Sequence, residues 1–235
     1  MKKNIVISGV SSGLGKELAK KFIALNWNVV GLARNTETLE KLSKELGDNF
    51  TFYAVDLQDE AGVLSAFDFI DKQLNHIDVI VNNAAIFTMK PFLECTFKDI
   101  NSIVDTNLKG VMYSTLKAIE IMKKNKKPAR IINISSVAGV HGIENQAIYC
   151  ASKFGLNGFA EALNQEVIKY NISISTIIPG GINTPLWNEN NPYPGGDTEQ
   201  LLQCSDIVKT VEYISGLEPR IILKNLTIFP SNEWH

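Results

Sequence analysis

Seven short runs rich in valine and isoleucine recur along the chain, with helix-spaced segments between them, and this alternation limits the fold more than any other feature. The runs are Asn4–Ser8, Asn28–Ala33, Thr51–Val55, Ile77–Asn82, Arg130–Ser135, Ser173–Ile178 and Leu226–Phe229. They show little polar alternation, the pattern of parallel strands covered on both faces. In the first intervening segment Leu14, Leu18, Phe22 and Leu25 recur at helical spacing and mark one face. Further helices are expected over Thr36–Leu46, Glu60–Leu74, Lys98–Met122, Gln146–Lys169 and Asp206–Ser215. Strand and helix alternating in this way build βαβ units, so the expected fold is α/β, a doubly wound parallel sheet of seven strands with helices on both faces. No repeat, low-complexity tract or linker interrupts the 235 residues, and 1–235 reads as a single domain. Pro185–Thr198, dense in proline, glycine and asparagine, reads as a long loop.

Charge and cysteine content narrow the function classes. The formal net charge is −2, from 23 basic and 25 acidic residues. Nucleic-acid binding needs concentrated positive charge, so no such partner is expected. The cluster Lys123, Lys124, Lys126 and Lys127 falls at a helix C-terminus, where cations are favoured, and reads as a solvated helix end. Cys95, Cys150 and Cys204 are widely spaced, odd in number and form no CxxC pair. That pattern fits a reducing compartment and neither a disulfide framework nor a metal site. The N-terminal apolar run stops at Ser8-Gly9, too short for a signal peptide, and no segment approaches a membrane span. A cytoplasmic location is expected.

The first run leads into Ser8-Gly9-Val10-Ser11-Ser12-Gly13-Leu14-Gly15 and then a helix. Glycines let backbone N–H groups approach a pyrophosphate, and the helix N-terminus adds partial positive charge. The spacing is G-x-x-x-G-x-G, one residue longer than the common dinucleotide fingerprint. Farther along stands Tyr149-Cys150-Ala151-Ser152-Lys153. Residues four apart share a helix face, so Lys153 can hold a cation near the Tyr149 hydroxyl. A free phenol has a pKa of about 10, and a nearby cation lowers it. Ser136 lies 13 positions before Tyr149, at the end of the fifth run. Catalytic residues of open α/β sheets gather at such strand ends.

Together these motifs resemble the short-chain dehydrogenase/reductase family, over essentially the whole chain. The resemblance implies a Rossmann-type fold and hydride transfer between a nicotinamide and a carbonyl or secondary alcohol. It gives Tyr149 the role of general acid/base, Ser136 that of holding the substrate oxygen, and Lys153 that of tuning Tyr149 and binding the nicotinamide ribose. Asn107 matches the family asparagine that supports the lysine through a water. Ser135 is expected to be structural. Gly9, Ser11, Ser12, Gly13, Leu14 and Gly15 are implied as the pyrophosphate loop, and Asp56 and Leu57 as neighbours of the adenine. Asp56 also reads as a helix N-cap. Asn82-Asn83-Ala84-Ala85 resembles the family's N-N-A-G, with Ala85 in place of glycine. Asn83, Ala84 and Ala85 are thus cofactor neighbours, as are Pro179, Gly180, Ile182 and Thr184 in the family's P-G-x-x-x-T pattern.

An NAD-preferring site carries an acid after the second strand to bind the ribose 2′-hydroxyl. Ala33 stands there instead, followed by Arg34, whose fork suits a 2′-phosphate. NADP(H) is therefore expected over NAD(H). By the same resemblance the substrate is a small carbonyl compound or alcohol, lined by Val137, His141, Ile143, Leu186, Trp187 and Tyr193, with 185–204 as a substrate loop. His141 also reads as a plain loop residue. The intact set Asn107, Ser136, Tyr149 and Lys153 favours an enzyme over a dinucleotide-binding redox sensor. A 3-oxoacyl-acyl carrier protein reductase is the alternative within the enzyme class. The resemblance further implies a homodimer or homotetramer joined through the long helices, with contributions from the C-terminal segment and Trp234.

Overall fold

Each expected run overlaps a strand, to within one or two residues at either end: β1 (Asn4–Ser8), β2 (Asn28–Ala33), β3 (Phe50–Ala54), β4 (Val79–Asn82), β5 (Ala129–Ile134), β6 (Ile172–Pro179) and β7 (Asn225–Ile228). The computed structural model describes residues 2–195 and 197–231, and Trp234 lies outside them. The strands form one sheet in the order β3-β2-β1-β4-β5-β6-β7, and every neighbouring pair is parallel. Both faces are covered, so successive side chains of one strand enter opposite cores. Ile5 and Ile7 join the core that holds Leu14, Leu18, Phe22 and Val211, while Val6 joins the one that holds Phe67, Ile70, Ala118 and Met122.

The helices are α1 (Gly13–Ala24), α2 (Thr36–Leu46), α3 (Glu60–Leu74), α4 (Phe97–Val104), α5 (Gly110–Lys124), α6 (Ala147–Val167) and α7 (Cys204–Gly216). Leu18 and Phe22 on α1 are fully buried. Burial of such side chains contributes about 1.5–3 kcal/mol each. Leu25, expected on the same face, is exposed just past the helix end. Side chains start several helices. Asn35 accepts from the Thr38 N–H at 2.8 Å, Asp59 accepts from the Ala61 N–H at 3.1 Å, and Thr96 and Asp99 form a capping box. These caps satisfy donors that a helix leaves unpaired.

The single helix expected over Lys98–Met122 is divided. A π-helical turn, Asp105–Lys109, separates α4 from α5. Hydrophobic periodicity does not register the one-residue widening of such a turn. Among the described residues no helix is long and apolar enough to cross a membrane.

One buried cation ties the edge of the sheet together. Arg130, at the start of β5, donates to the carbonyls of Leu217, Glu218 and Ile221 at 2.8–3.0 Å and to Ser173 Oγ at 3.2 Å. Among the described residues it has no carboxylate partner. The negative end of α7 faces it instead. Arg130→Ala would leave these carbonyls unpaired and should cost about 2–4 kcal/mol. Urea unfolding measures this, and an unchanged midpoint would refute the role.

Candidate active site

Between β1 and β4 the winding of the sheet reverses, and a crevice opens there at the carboxyl ends of the strands. Backbone geometry holds its floor. Gly9 has φ +77, and a Cβ there would come within 2.9 Å of the Ala84 Cα. A Cβ on Gly15 would lie 2.1 Å from the Gly9 carbonyl oxygen, so only glycine lets α1 start this close to β1. Ser8 Oγ accepts from the N–H groups of Asn83 and Ala84 at 3.0 and 3.1 Å, and Asn83 Nδ2 donates to the Ser8 carbonyl at 2.9 Å. The loops after β1 and β4 are thereby locked side by side.

The resulting cavity has a volume of about 580 Å³. Gly9, Ser11, Ser12, Gly13 and Leu14 line it from the loop after β1. Ala33 and Arg34 line it from the end of β2, and Asp56 and Leu57 from the segment after β3. Asn83, Ala84 and Ala85 follow from β4, Ser136 and Val137 from β5, and Tyr149 and Lys153 from α6. Pro179, Gly180, Ile182, Thr184, Leu186, Trp187 and Tyr193 close the wall from β6 onward, with Ile143 beside them.

Three expected residues stand elsewhere. Gly15 lies behind the loop and serves its packing. Asn107 is fully buried, and its side chain is committed to Ile86, accepting from the N–H and donating to the carbonyl, both at 2.8 Å. It sits within the π-helical turn. His141 is exposed and outside the cavity wall, because the chain beyond the short turn Val137–Gly139 runs out to solvent. The expectation that His141 lines the pocket is corrected accordingly. Asp56 caps no helix: its carboxylate accepts from the Gln58 N–H at 3.0 Å, and Asp59 caps α3. Ser135 Oγ is occupied by Asn157 at 2.6 Å, whereas Ser136 faces Tyr149 across the cavity.

Phe87 and Gln146 were missed by sequence reasoning and line the same cavity. Gln146 had a signal, since it precedes Tyr149 by about one helical turn. Phe87 follows the N-N-A-A segment and had none beyond that position. The rings form a chain: Phe87 packs edge-on to Tyr149 at 5.0 Å and to Trp187 at 5.3 Å, and Trp187 meets Tyr193 at 5.3 Å.

The electrostatics differ from expectation. Burial pushes the Tyr149 phenol up to about 12, and the facing Ser136 hydroxyl only partly opposes this. Burial is the largest cause and outweighs any pull from Lys153. Its Nζ donates to the Ile134 carbonyl at 2.9 Å and stands 5.6 Å from the Tyr149 ring centroid. Burial also lowers Lys153 to about 8. Both groups are driven toward their neutral forms. The site therefore presents a protonated phenol beside a hydroxyl on the wall of the crevice.

The other end of the cavity suits a dinucleotide. The first turn of α1 carries no acid, and its N-cap Ser12 makes no side-chain capping bond, so the N–H groups there are left for an anion. Arg34 is exposed and, among the described residues, has no ion-pair partner. The glycine cradle, uncapped helix end and arginine fit a pyrophosphate and a further phosphate.

A seven-stranded parallel sheet with this crevice defines a dinucleotide-binding fold, and its tyrosine–serine–lysine cluster marks an oxidoreductase. The family model of the short chain dehydrogenases matches residues 3–194, and the chain belongs to that family. It is 31% identical over 240 residues to the farnesol dehydrogenase of Aedes aegypti, covering 98% of this chain and 97% of that protein. It is 33% identical over 189 residues to a 3-oxoacyl-[acyl-carrier-protein] reductase of Rickettsia conorii, covering 80% of this chain and 76% of that one. Among solved structures, the closed form of serine dehydrogenase complexed with NADP+ superposes with a TM-score of 0.90 at 24% identity, covering 99% and 96% of the two chains. The fold is thus that of the family, and the chain is an oxidoreductase acting on alcohol or carbonyl groups.

The lowered Lys153 has a stability consequence. Its folded pKa of about 8 lies below the ordinary 10.5, so the native state resists protonation of this group. Stability from this group is full above about 10.5 and is lost as pH falls toward 8. Lys153→Met should therefore stabilise the free protein by about 1–3 kcal/mol at pH 7. The gain should vanish as pH rises from 8 to 10.5. Denaturant titrations across that range check it, and a pH-independent difference would contradict the assignment.

Proposed function

We propose that the protein is an NADP(H)-dependent carbonyl reductase or alcohol dehydrogenase in which Tyr149 is the proton donor and acceptor. One observation carries the reading: a buried, protonated Tyr149 shares the cavity wall with Ser136 and Lys153, one end of which is a phosphate cradle. The bound nicotinamide supplies or accepts the hydride. In reduction Ser136 hydrogen-bonds the carbonyl oxygen, and Tyr149 gives its proton to that oxygen as charge develops there. The rise of the phenol to about 12 suits it to hold this proton at neutral pH. Lys153 lines the same wall, would hold the nicotinamide ribose, and opposes with its ammonium the negative charge left on the phenol as it gives up its proton. Asn107 acts at a distance, by fixing Ile86 and the wall after β4.

Gly9 to Leu14 would hold the pyrophosphate, Asp56 and Leu57 the adenine, and Ala84, Ala85, Pro179, Gly180, Ile182 and Thr184 the nicotinamide. Ala33 offers no carboxylate to a ribose 2′-hydroxyl, and Arg34, without an ion-pair partner among the described residues, favours a 2′-phosphate, so NADP(H) is preferred. The serine dehydrogenase of similar fold was captured with NADP+. Residues 1–235 act as one catalytic domain, with 185–204 as the substrate loop. The exposed side chains of Phe92, Leu93, Phe97, Leu116 and Phe154 on and near α4, α5 and α6 support homo-oligomerisation. The free Cys95, Cys150 and Cys204 support a reducing, cytoplasmic setting.

A second reading, reduction of 3-oxoacyl thioesters on a carrier protein, is supported by the resemblance to the Rickettsia conorii reductase. An acyl carrier protein added to the assay separates the two, because only this reading requires the carrier.

Tyr149→Phe should lower kcat by roughly a hundred- to ten-thousandfold, while calorimetry still detects NADPH binding. Near-normal turnover would sink the mechanism. Arg34→Ala should weaken NADPH by about ten- to a hundredfold and leave NADH nearly unaffected. Equal losses for both would remove Arg34 from the phosphate site.

A further inference from the structure

Gln146 is a polar side chain that the reaction above does not use. It is 7% exposed and lines the cavity at the substrate end. Its backbone is fully engaged: the N–H donates to Ile143 and the carbonyl accepts from Cys150. It occupies the N-cap position of α6, yet its side chain makes no capping bond. Among the described residues the side-chain amide has no hydrogen-bond partner. The amide atoms are not sealed off inside the fold but open on the cavity. An amide that faces only the cavity has its partner in whatever enters the cavity.

Its neighbours define that ligand. Phe87, Val137, Ile143, Leu186 and Trp187 are apolar. The charged side chains of the wall are Lys153, which is bonded to Ile134, and Arg34 and Asp56, which follow β2 and β3 at the opposite end. A carboxylate or ammonium on the substrate would find no counter-charge here. A neutral oxygen would find the amide, which both donates and accepts.

We infer that Gln146 is a specificity-determining residue that selects apolar carbonyl compounds carrying a second, neutral oxygen close to the reacting carbon, with the hydrocarbon body packed on Phe87 and Trp187. Gln146 stands three residues before Tyr149, immediately ahead of the first turn of α6, and both line the cavity. A second oxygen a few bonds from the reacting carbon can therefore reach the amide while Tyr149 meets the carbonyl oxygen. The inference rests on the proposed function and adds its substrate class. A free amino acid, charged at both ends, lies outside this class.

The test uses two matched ketones: benzylacetone, and benzylacetone bearing a hydroxyl on its benzylic carbon. Both are assayed with NADPH on the wild type, Gln146→Met and Gln146→Glu. The wild type should favour the hydroxyketone by about tenfold or more in kcat/KM. Gln146→Met should erase that ratio. Gln146→Glu keeps an oxygen acceptor and should retain part of it. NADPH affinity by calorimetry reports separately that the cavity is intact, so a misfolded Gln146→Met cannot imitate the result. Turnover of both ketones with a ratio that none of the variants changes would overturn the inference alone. No NADPH oxidation with either ketone, despite NADPH binding, would overturn the proposed carbonyl reduction and the inference with it.

Discussion

Ser8 holds the loops after β1 and β4 together, and the crevice depends on that contact. Its hydroxyl accepts two N–H groups from Asn83 and Ala84, and its carbonyl accepts the Asn83 amide. These are the two neighbouring strands at which the sheet changes its winding direction. A parallel sheet covered on both faces has no other place for chemistry, because its faces are filled with side chains. Gly9 and Gly15 are small for the same reason: any Cβ would press into the backbone that this contact brings near.

Burial supplies the second constraint. Tyr149 and Lys153 lie on the same face of α6 with almost no access to water, and both shift toward neutrality. A phenol that keeps its proton near neutral pH is an acid in waiting, and charge that develops on a substrate oxygen beside Ser136 changes the balance in favour of transfer. A buried amine whose hydrogen-bond partner among the described residues is a single carbonyl, that of Ile134, is a cost to the folded state. Sites that lose stability in this way are commonly functional, which is the argument for assigning Lys153 a role beyond packing.

Much of this was legible in the sequence, for identifiable reasons. β1 and β2 fall at their expected limits because glycine or an arginine–asparagine turn ends each apolar run abruptly. The glycine loop and the Tyr149–Lys153 pair were legible because their chemistry dictates spacing. Spacing gives a shared helix face and no measure of burial, however, and so the rise of the phenol under burial was not legible. The π-helical turn was hidden because one extra residue per turn leaves hydrophobic periodicity almost intact. His141 was misplaced because proximity in sequence to Ser136 says nothing of where the chain turns outward. Phe87 was invisible because a cavity's contents depend on three loops meeting, and Gln146 had only its place one turn before Tyr149 to mark it.

Those loops explain how a shared reaction and a particular substrate can coexist in one chain. The strand ends fix Ser136 and the cofactor cradle, and they are tied down by the sheet register. The substrate end is built from segments beyond the strands, braced against each other: Asn191 accepts from the Met89 N–H at 2.9 Å, and Lys90 donates its N–H to the Asn145 carbonyl at 2.9 Å. The aromatic chain from Tyr149 through Phe87 and Trp187 to Tyr193 crosses the same junction. A change in any one of these loops alters the shape presented to the substrate without moving the atoms that hold the reacting oxygen. Substrate choice in this fold is therefore free to vary where the sheet imposes nothing, while the proton donor stays fixed on α6.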